Sequence, residues 1–317
     1  MTSEPLDIRV SLVNTDNREL LSHCLASIPA ACRGLRWAVT VIDNASTDGS
    51  AQMVATEFPW AEVRRNARRR GFAANHNQVI APVVETRAAR YVLILNEDTE
   101  LQPDSVAALV RHGDGDERIG AVAPDLRGPA GEAQEAYRSL PTPAREAMDA
   151  LRPGIRRAPR GRGYLNGSCL LLRTDALRGV GLLDDRFFIF YEDADLCRRL
   201  VAARWTLTIS EGARVVHHEH QTVSQGSLDG PMSRQMLRSR HLYLRKHHGA
   251  AAAALTDVVV RIGFTLRALK ALGEGLAGSD AAARCRARAF FRLARYDPRA
   301  ELEHERRADA DEPIPST

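Results

Sequence analysis

Glu192, Asp193 and Asp195 place three carboxylates within four residues, directly after the aromatic run Phe187-Phe188-Ile189-Phe190-Tyr191. The aromatic run reads as a strand, and Leu196 and Leu200 open a helical period. A helix N-terminus favours negative charge, but capping needs one acid. The surplus can face a pocket, where a carboxylate can take a proton from a substrate hydroxyl.

Two further acids and a histidine cluster stand at comparable junctions. Asp43 ends an apolar run, where it can meet a nucleotide base or ribose, or cap the next helix. Asp48 and Ser46 are better placed as the cap, which leaves Asp43 for a ligand. Asp98 follows Leu93-Ile94-Leu95 inside the polar cluster Asn96-Glu97-Asp98-Thr99-Glu100. Strand-end carboxylates suit Mg²⁺ or Mn²⁺, and such an ion offsets the charge on a departing diphosphate; a turn or cap is the plain alternative. His217-His218-Glu219-His220 closes another apolar run. Strand neighbours point to opposite faces, so one imidazole can face inward as a metal or phosphate contact, a solvated loop being the alternative.

The elements that must position these groups alternate. Ile8–Asn14, Ala38–Asn44, Ala61–Asn66 and Tyr91–Leu95 read as strands. Helical patterns follow them over Arg18–Ile28, Ser46–Phe58, Phe72–Val83 and onward from Pro103. Such alternation predicts an α/β fold with a mostly parallel sheet covered on both faces. Ligands of such sheets bind beyond the carboxyl ends of the strands, which is where Asn14, Asp43 and Asn96 fall. Residues 127–163, rich in Arg, Pro and Gly, read as a flexible loop. Strands resume at Tyr164–Arg173, Trp205–Ile209 and Ala213–Val216. From Met232 the pattern is helical, with Leu255, Val258, Ile262, Leu266, Leu269 and Leu276 on one face.

Composition sets the remaining bounds. The chain has 317 residues, 44% hydrophobic and 26% charged, with net charge +4, an ordinary globular balance that does not call for nucleic acid. Arg234 to Arg295 holds thirteen Lys/Arg against Asp257, Glu274 and Asp280, a local balance of +10, which implies an anionic partner. The five scattered cysteines lack metal-ligand spacing and suit a reducing cytosol. No signal peptide and no membrane span is expected.

Several blocks in order resemble the family 2 glycosyltransferases of the GT-A fold, nearest to the bacterial rhamnosyltransferase-like branch. They are Val41-Ile42-Asp43-Asn44-Ala45-Ser46-Thr47-Asp48-Gly49-Ser50, Gly71-Phe72-Ala73-Ala74-Asn75-His76-Asn77, Leu95-Asn96-Glu97-Asp98-Thr99-Glu100-Leu101 and Asn166-Gly167-Ser168-Cys169. Gly181 to Phe188, Tyr191 to Cys197 and Tyr243 to Gly249 complete the set over about residues 8–249. The resemblance implies that Asp43 holds the donor's base, that Asp98 with His217 or His218 binds Mn²⁺ or Mg²⁺, and that Asp193 is the catalytic base. It also implies that Glu192 and Asp195 orient the base or the acceptor. Asn14, Asp16, Asn44, Ser46, Arg70, Gly71, Asn75, Asn96, Glu97, Asn166 and Gly167 are the further nucleotide-sugar contacts it implies.

The chain departs from the family pattern in places. Asn14-Thr15-Asp16 stands where Thr-Tyr-Asn is usual, Arg69 replaces an Asn, Glu97 replaces a Pro, and the histidine motif is not glycine-rich. The implied enzyme inverts configuration and moves a sugar, L-rhamnose from dTDP-L-rhamnose, to an acceptor hydroxyl on a glycan or lipid-linked precursor of the cell wall. A UDP-hexose enzyme acting on a soluble acceptor and a non-catalytic sugar-nucleotide binder are the alternatives. A nucleotidyltransferase should carry an early Gly-rich loop with a lysine, yet no lysine precedes Lys246. A nucleic-acid binder lacks interleaved aromatics.

The expected organisation is a GT-A catalytic domain over 1–231, with halves 1–126 and 164–231 about the loop. A helical extension over 232–299 and a disordered tail over 300–317 follow. Residues 255–295 are expected to meet a membrane surface, the catalytic domain or a second copy in a homodimer. The expected location is cytoplasmic, at the inner face of the cell membrane.

Overall fold

The computed structural model describes residues 4–151, 163–218, 228–277, 280–300 and 302. Largely apolar runs form β1 (Leu6–Asn14), β2 (Trp37–Asp43) and β4 (Ala89–Asn96), and the shorter, more polar Ala61–Arg65 forms β3 at the sheet edge. Helices α1 (Arg18–Ala31), α2 (Ser50–Glu57) and α3 (Phe72–Thr86) connect them. In α1 the residues Leu21, Leu25 and Ile28 recur at helical spacing and are fully buried. The rest of the sheet comes from β5 (Thr99–Leu101), β6 (Ile119–Arg127), β9 (Cys169–Arg173) and β10 (Thr206–His217). Between these run α4 (Ser105–Asp114), α6 (Thr174–Val180) and α7 (Glu192–Ala202).

The eight-stranded order is β3-β2-β1-β4-β9-β6-β10-β5. Neighbours among β1 to β4 run parallel, as do β6 and β10, while β9 lies antiparallel between β4 and β6. The core is a continuous set of Ile, Val and Leu side chains from both sheet faces, including Ile8, Val10, Leu12, Leu93 and Leu171. Cys24, Cys32, Cys169 and Cys197 are free and buried among them, and Cys285 is exposed. Burial pushes the Cys24, Cys32 and Cys197 thiols up to about 12, so they pack as small apolar groups.

Several expectations are corrected. The aromatic run before Glu192 is not a strand: Phe190 and Tyr191 both take φ 70°, left-handed backbone that no strand contains. The span Tyr164–Arg173 divides at a turn into β8 (Gly163–Leu165) and β9, and the pieces expected over 205–216 fuse into β10, whose register with β6 shifts between Ser210 and Arg214. Residues 127–163 are not an irregular loop throughout. They hold β7 (Tyr137–Ser139), which pairs with β8, and α5 (Pro143–Leu151); 152–162 lie outside the described residues, as do Glu219, His220 and nearly all of the tail.

The chain divides into two compact units. One comprises the described parts of 1–140, 157–188 and 192–222 and holds the sheet. The other comprises the described parts of 141–156, 189–191 and 223–317. It is built from α5, α8 (Pro231–His248), α9 (Ala250–Ala277) and α10 (Ala281–Arg295). Within it, Gly263 lies under the Ala150 backbone, and the buried Asp257 carboxylate accepts from Arg240 at 3.1 Å and lies 2.6 Å from His241 Nδ1.

A buried histidine in the sheet unit has a measurable consequence. His76 Nδ1 lies 2.8 Å from Ser11 Oγ, and burial pushes the imidazole from 6.5 down to about 3. The folded state thus holds the neutral ring. Its stabilisation is complete above the ordinary value and is lost as pH falls from there towards the folded value. Between pH 7 and pH 5 the expected loss is about 2 kcal/mol. Urea unfolding at both pH values checks this: wild type should lose that much more stability than His76→Asn, and equal losses would contradict it.

Candidate active site

The strand ends build the site. Parallel pairing sets Asn14 opposite Asp43 and Val13 opposite Asn96. Asn14, Asp43 and Asn96 therefore end side by side at the carboxyl edge, and β2 lies two strand spacings, about 10 Å, from β4. Asp43 is 1% exposed; its Oδ2 accepts from Arg65 Nε at 3.3 Å, whereas its Oδ1 is buried without a hydrogen bond. Asn14 donates to Ser46 Oγ at 3.2 Å and leaves its own Oδ1 buried without a partner.

The turns beyond these ends are tied internally. Asp48, not Ser46, receives Ser50 N at the start of α2. Ser46 Oγ accepts from Asp16 N, and Asp16 in turn accepts from Thr47 N and pairs with Arg69. Asn44 Oδ1 accepts from Arg70 N and Asn66 Nδ2, while Asn75 donates to Arg70 O and accepts from Asn66. Asn44 and Asn75 thus shape the 66–71 turn, and the Arg70 side chain is left exposed.

Gly71 is required by packing. A Cβ there would stand 2.7 Å from the Phe188 Cα and carbonyl oxygen, and Phe72 N donates to that same oxygen at 2.6 Å. The obstacle is backbone, so it cannot swing aside. Gly71→Ala should cost about 1–3 kcal/mol, read as a lower urea midpoint; an unchanged midpoint would refute the contact.

The second cluster forms where β5 pairs antiparallel with β10, which sets His217 opposite Thr99. His217 Nε2 lies 3.4 Å from Asp98 Oδ1, both side chains being buried. Gln134, which sequence reasoning missed in the Arg/Pro/Gly-rich stretch, fixes the ring. Its Nε2 donates to the His217 carbonyl at 2.9 Å, so its Oε1, 2.9 Å from Nδ1, must be the acceptor. Nδ1 therefore carries hydrogen, and in the neutral ring Nε2 turns its lone pair to Asp98. Two lone-pair groups facing one another call for a proton or a cation between them.

His218 points the other way, 3.8 Å from Glu100. Asp98, His217 and His218 therefore do not converge, and the described residues contain no group of three or more His, Cys, Asp or Glu placed to hold a metal. Glu97 accepts from Asn17 Nδ2 at 2.8 Å, and burial followed by the neighbouring Asp98 charge lifts it to about 7.

The third cluster opens α7. Asp193 accepts from Ala194 N at 2.7 Å and Gly167 N at 3.2 Å. The next residue, Ser168, accepts Asn96 N through its carbonyl at 2.8 Å. Backbone bonds thus carry Asp193 to the same edge as Asn96 and Asp98. Asn166 Oδ1 accepts from Ser168 N at 2.9 Å and shapes this turn.

Burial raises both Glu192 and Asp193, Glu192 further, and the Asp193 charge adds to it. Asp193 has two backbone donors and the Arg138 charge to hold it ionised, while Glu192 Oε2 is buried without a partner. The different surroundings make Glu192 the weaker acid of the two. Asp195 is fully buried and pairs with Arg199 at 2.9 Å, and Arg199 also donates to the 180–182 carbonyls. Its carboxylate positions α7.

The sequence profile described as glycosyl transferase family 2 matches residues 10–181, from β1 through α6. The chain belongs to the family 2 glycosyltransferases. Within them it stands in the rhamnosyltransferase-like branch. It is 32% identical over 207 residues to the N-acetylglucosaminyl-diphospho-decaprenol L-rhamnosyltransferase of two Mycobacterium tuberculosis strains, covering 58% of this chain and 67% of the relative. It is also 24% identical over 267 residues to the uncharacterized protein y4gI of Sinorhizobium fredii, spanning 78% of this chain and 28% of that one.

The fold of this glycosyltransferase is shared with the mannosyltransferase PcManGT of Pyrobaculum calidifontis, solved with GDP-Man and Mn²⁺. The TM-score is 0.52 at 15% identity, over 95% of this chain and 84% of that one. GalNAc-T7, solved with UDP, GalNAc and Mn²⁺, gives 0.53 at 18% identity over 74% of this chain, which spans 48% of that structure. The GT-A-like α/β sheet and the C-terminal helices are as expected from the sequence.

Proposed function

We propose that this glycosyltransferase moves L-rhamnose from dTDP-L-rhamnose to a hydroxyl of a lipid-linked sugar, with inversion. One observation carries the reading of the site. Asn14 Oδ1, Asp43 Oδ1, Asp98 Oδ1, Ser168 Oγ and Glu192 Oε2 are all buried without a hydrogen bond; the first four belong to strand ends and turns of one sheet edge, and Glu192 opens α7 next to Asp193. Buried polar atoms are seldom left unpaired, and a polar ligand would satisfy such a set.

On this reading Asp43 accepts from the donor's base. The buried carboxylate of Asp98 and the Nε2 lone pair of His217 suit a divalent cation such as Mn²⁺, which when bound would supply positive charge beside the diphosphate. Asp193 removes the acceptor proton as the hydroxyl oxygen attacks the anomeric carbon, and the bond to the diphosphate oxygen breaks on the opposite face. Glu192, the weaker acid of the pair, orients the acceptor. No general acid is needed, because a nucleoside diphosphate already leaves well; glycoside hydrolysis differs in requiring a second carboxyl.

The sugar and the acceptor class rest on the likeness to the mycobacterial rhamnosyltransferases. Incubation with Mn²⁺, a polyprenyl-diphospho-N-acetylglucosamine and a panel of nucleotide sugars tests both. Rhamnosylated lipid is expected from dTDP-L-rhamnose alone; turnover of a UDP-hexose with none of dTDP-L-rhamnose would overturn the donor.

A further inference from the structure

We propose that α9 docks this protein on an anionic membrane surface, lying flat through one apolar stripe. Leu255, Val258, Ile262, Leu266, Leu269 and Leu276 are between 50% and 71% exposed. At 100° per residue all six fall within about 40° of Ile262 around the helix. From Ala251 to Leu269 every exposed position of α9 is apolar.

The opposite side of the helix is already engaged. Gly263 admits the Ala150 backbone of α5, Arg267 donates to the Ala150 carbonyl, and Arg261 donates to the Ala294 carbonyl beside α10. Ala253, Val260, Ala268 and Ala271 are buried on the inner face. The stripe is thus a second apolar face, and no described residue covers it to the extent that buries a core side chain.

Charge selects the occupant. Lys270, 4.0 Å from Glu274, borders the stripe and is exposed, as are Arg286, Arg288 and Arg295 on α10, which packs against α9. Exposed acids on these two helices are confined to Glu274 and Asp280, both bridged by Arg286. A second copy meeting this face about a two-fold axis would bring like charges together. An anionic bilayer offers hydrocarbon to the leucines and negative headgroups to the exposed cations of α9 and α10. No helix among the described residues is long and apolar enough to cross a membrane, so α9 lies on the surface. The proposal is independent of which donor or acceptor the site uses.

Flotation of the full-length protein tests this. One set of vesicles holds phosphatidylglycerol and phosphatidylcholine in equal parts, the other phosphatidylcholine alone. Wild type should float with the anionic vesicles, and high salt should weaken the association. The double variant Ile262→Glu/Leu266→Glu should lose it by about tenfold or more while keeping the wild-type circular dichroism. Lys270→Glu/Arg288→Glu should float less on anionic vesicles. The proposal is overturned if wild type stays unbound with anionic vesicles, or if the Ile262→Glu/Leu266→Glu protein floats as well as wild type. It is also overturned if sedimentation shows a dimer that this double variant splits while wild type ignores vesicles, since a second copy then covers the stripe.

Discussion

Asp193→Asn should lower kcat by about a thousandfold, within the range assigned to a positioned general base, while donor affinity stays within about twofold. The amide keeps an acceptor for Gly167 N or Ala194 N but cannot take a proton. Stability should not follow activity. Burial raises the Asp193 carboxyl, so the ionised form is disfavoured in the folded state. That cost is present at neutral pH and relieved as pH falls through the raised value. The neutral amide removes it but turns Nδ2 towards one of the two backbone donors, so Tm should stay near that of wild type. For wild type, kcat should fall on the acid side at a pH above the ordinary 3.8 of an aspartate. Thermal unfolding and single-turnover transfer on the same samples check the pair; lower activity with lower Tm would point to a folding defect instead.

Asp98→Asn should reduce kcat/KM by about a hundredfold or more and raise the Mn²⁺ concentration needed for half activity. The two adjacent histidines should then separate. His217→Gln breaks the arrangement of Gln134, His217 and Asp98 and should approach the Asp98→Asn defect. His218→Gln removes only a contact with the half-exposed Glu100 and should stay within about twofold, as exposed pairs contribute little. Activity titrated with Mn²⁺ after chelation measures all three. Equal defects in the two histidine variants would contradict the assignment of His217.

The strand ends were legible because a buried strand announces itself by an apolar run, and the polar residue that stops the run marks the edge. Asp43 ends β2 and Asp98 follows the end of β4 in this way. Other features leave little trace in composition. The left-handed Phe190 and Tyr191 sit in a run whose residue types favour strand, and backbone strain of this kind is held by surroundings that the local pattern does not show. The choice between His217 and His218 depends on the β5–β10 register, which is set by pairing far along the chain. Asp195, which the resemblance expects to orient the base or the acceptor, pairs with Arg199, and the i,i+4 spacing of the two in the sequence already points to that pairing. Gln134 had no such sign, since its role arises only from a contact eighty-three residues away.

A calorimetric titration of dTDP-L-rhamnose, with Mn²⁺ present, into wild type, Asp43→Ala, Asp98→Asn and Asp193→Asn reads out most directly whether these carboxylates serve one sugar nucleotide. Binding should weaken on the order of tenfold or more for the first two variants and stay near wild type for Asp193→Asn, which should nonetheless transfer no sugar. Undiminished binding in both Asp43→Ala and Asp98→Asn, or full transfer by Asp193→Asn, would contradict the account.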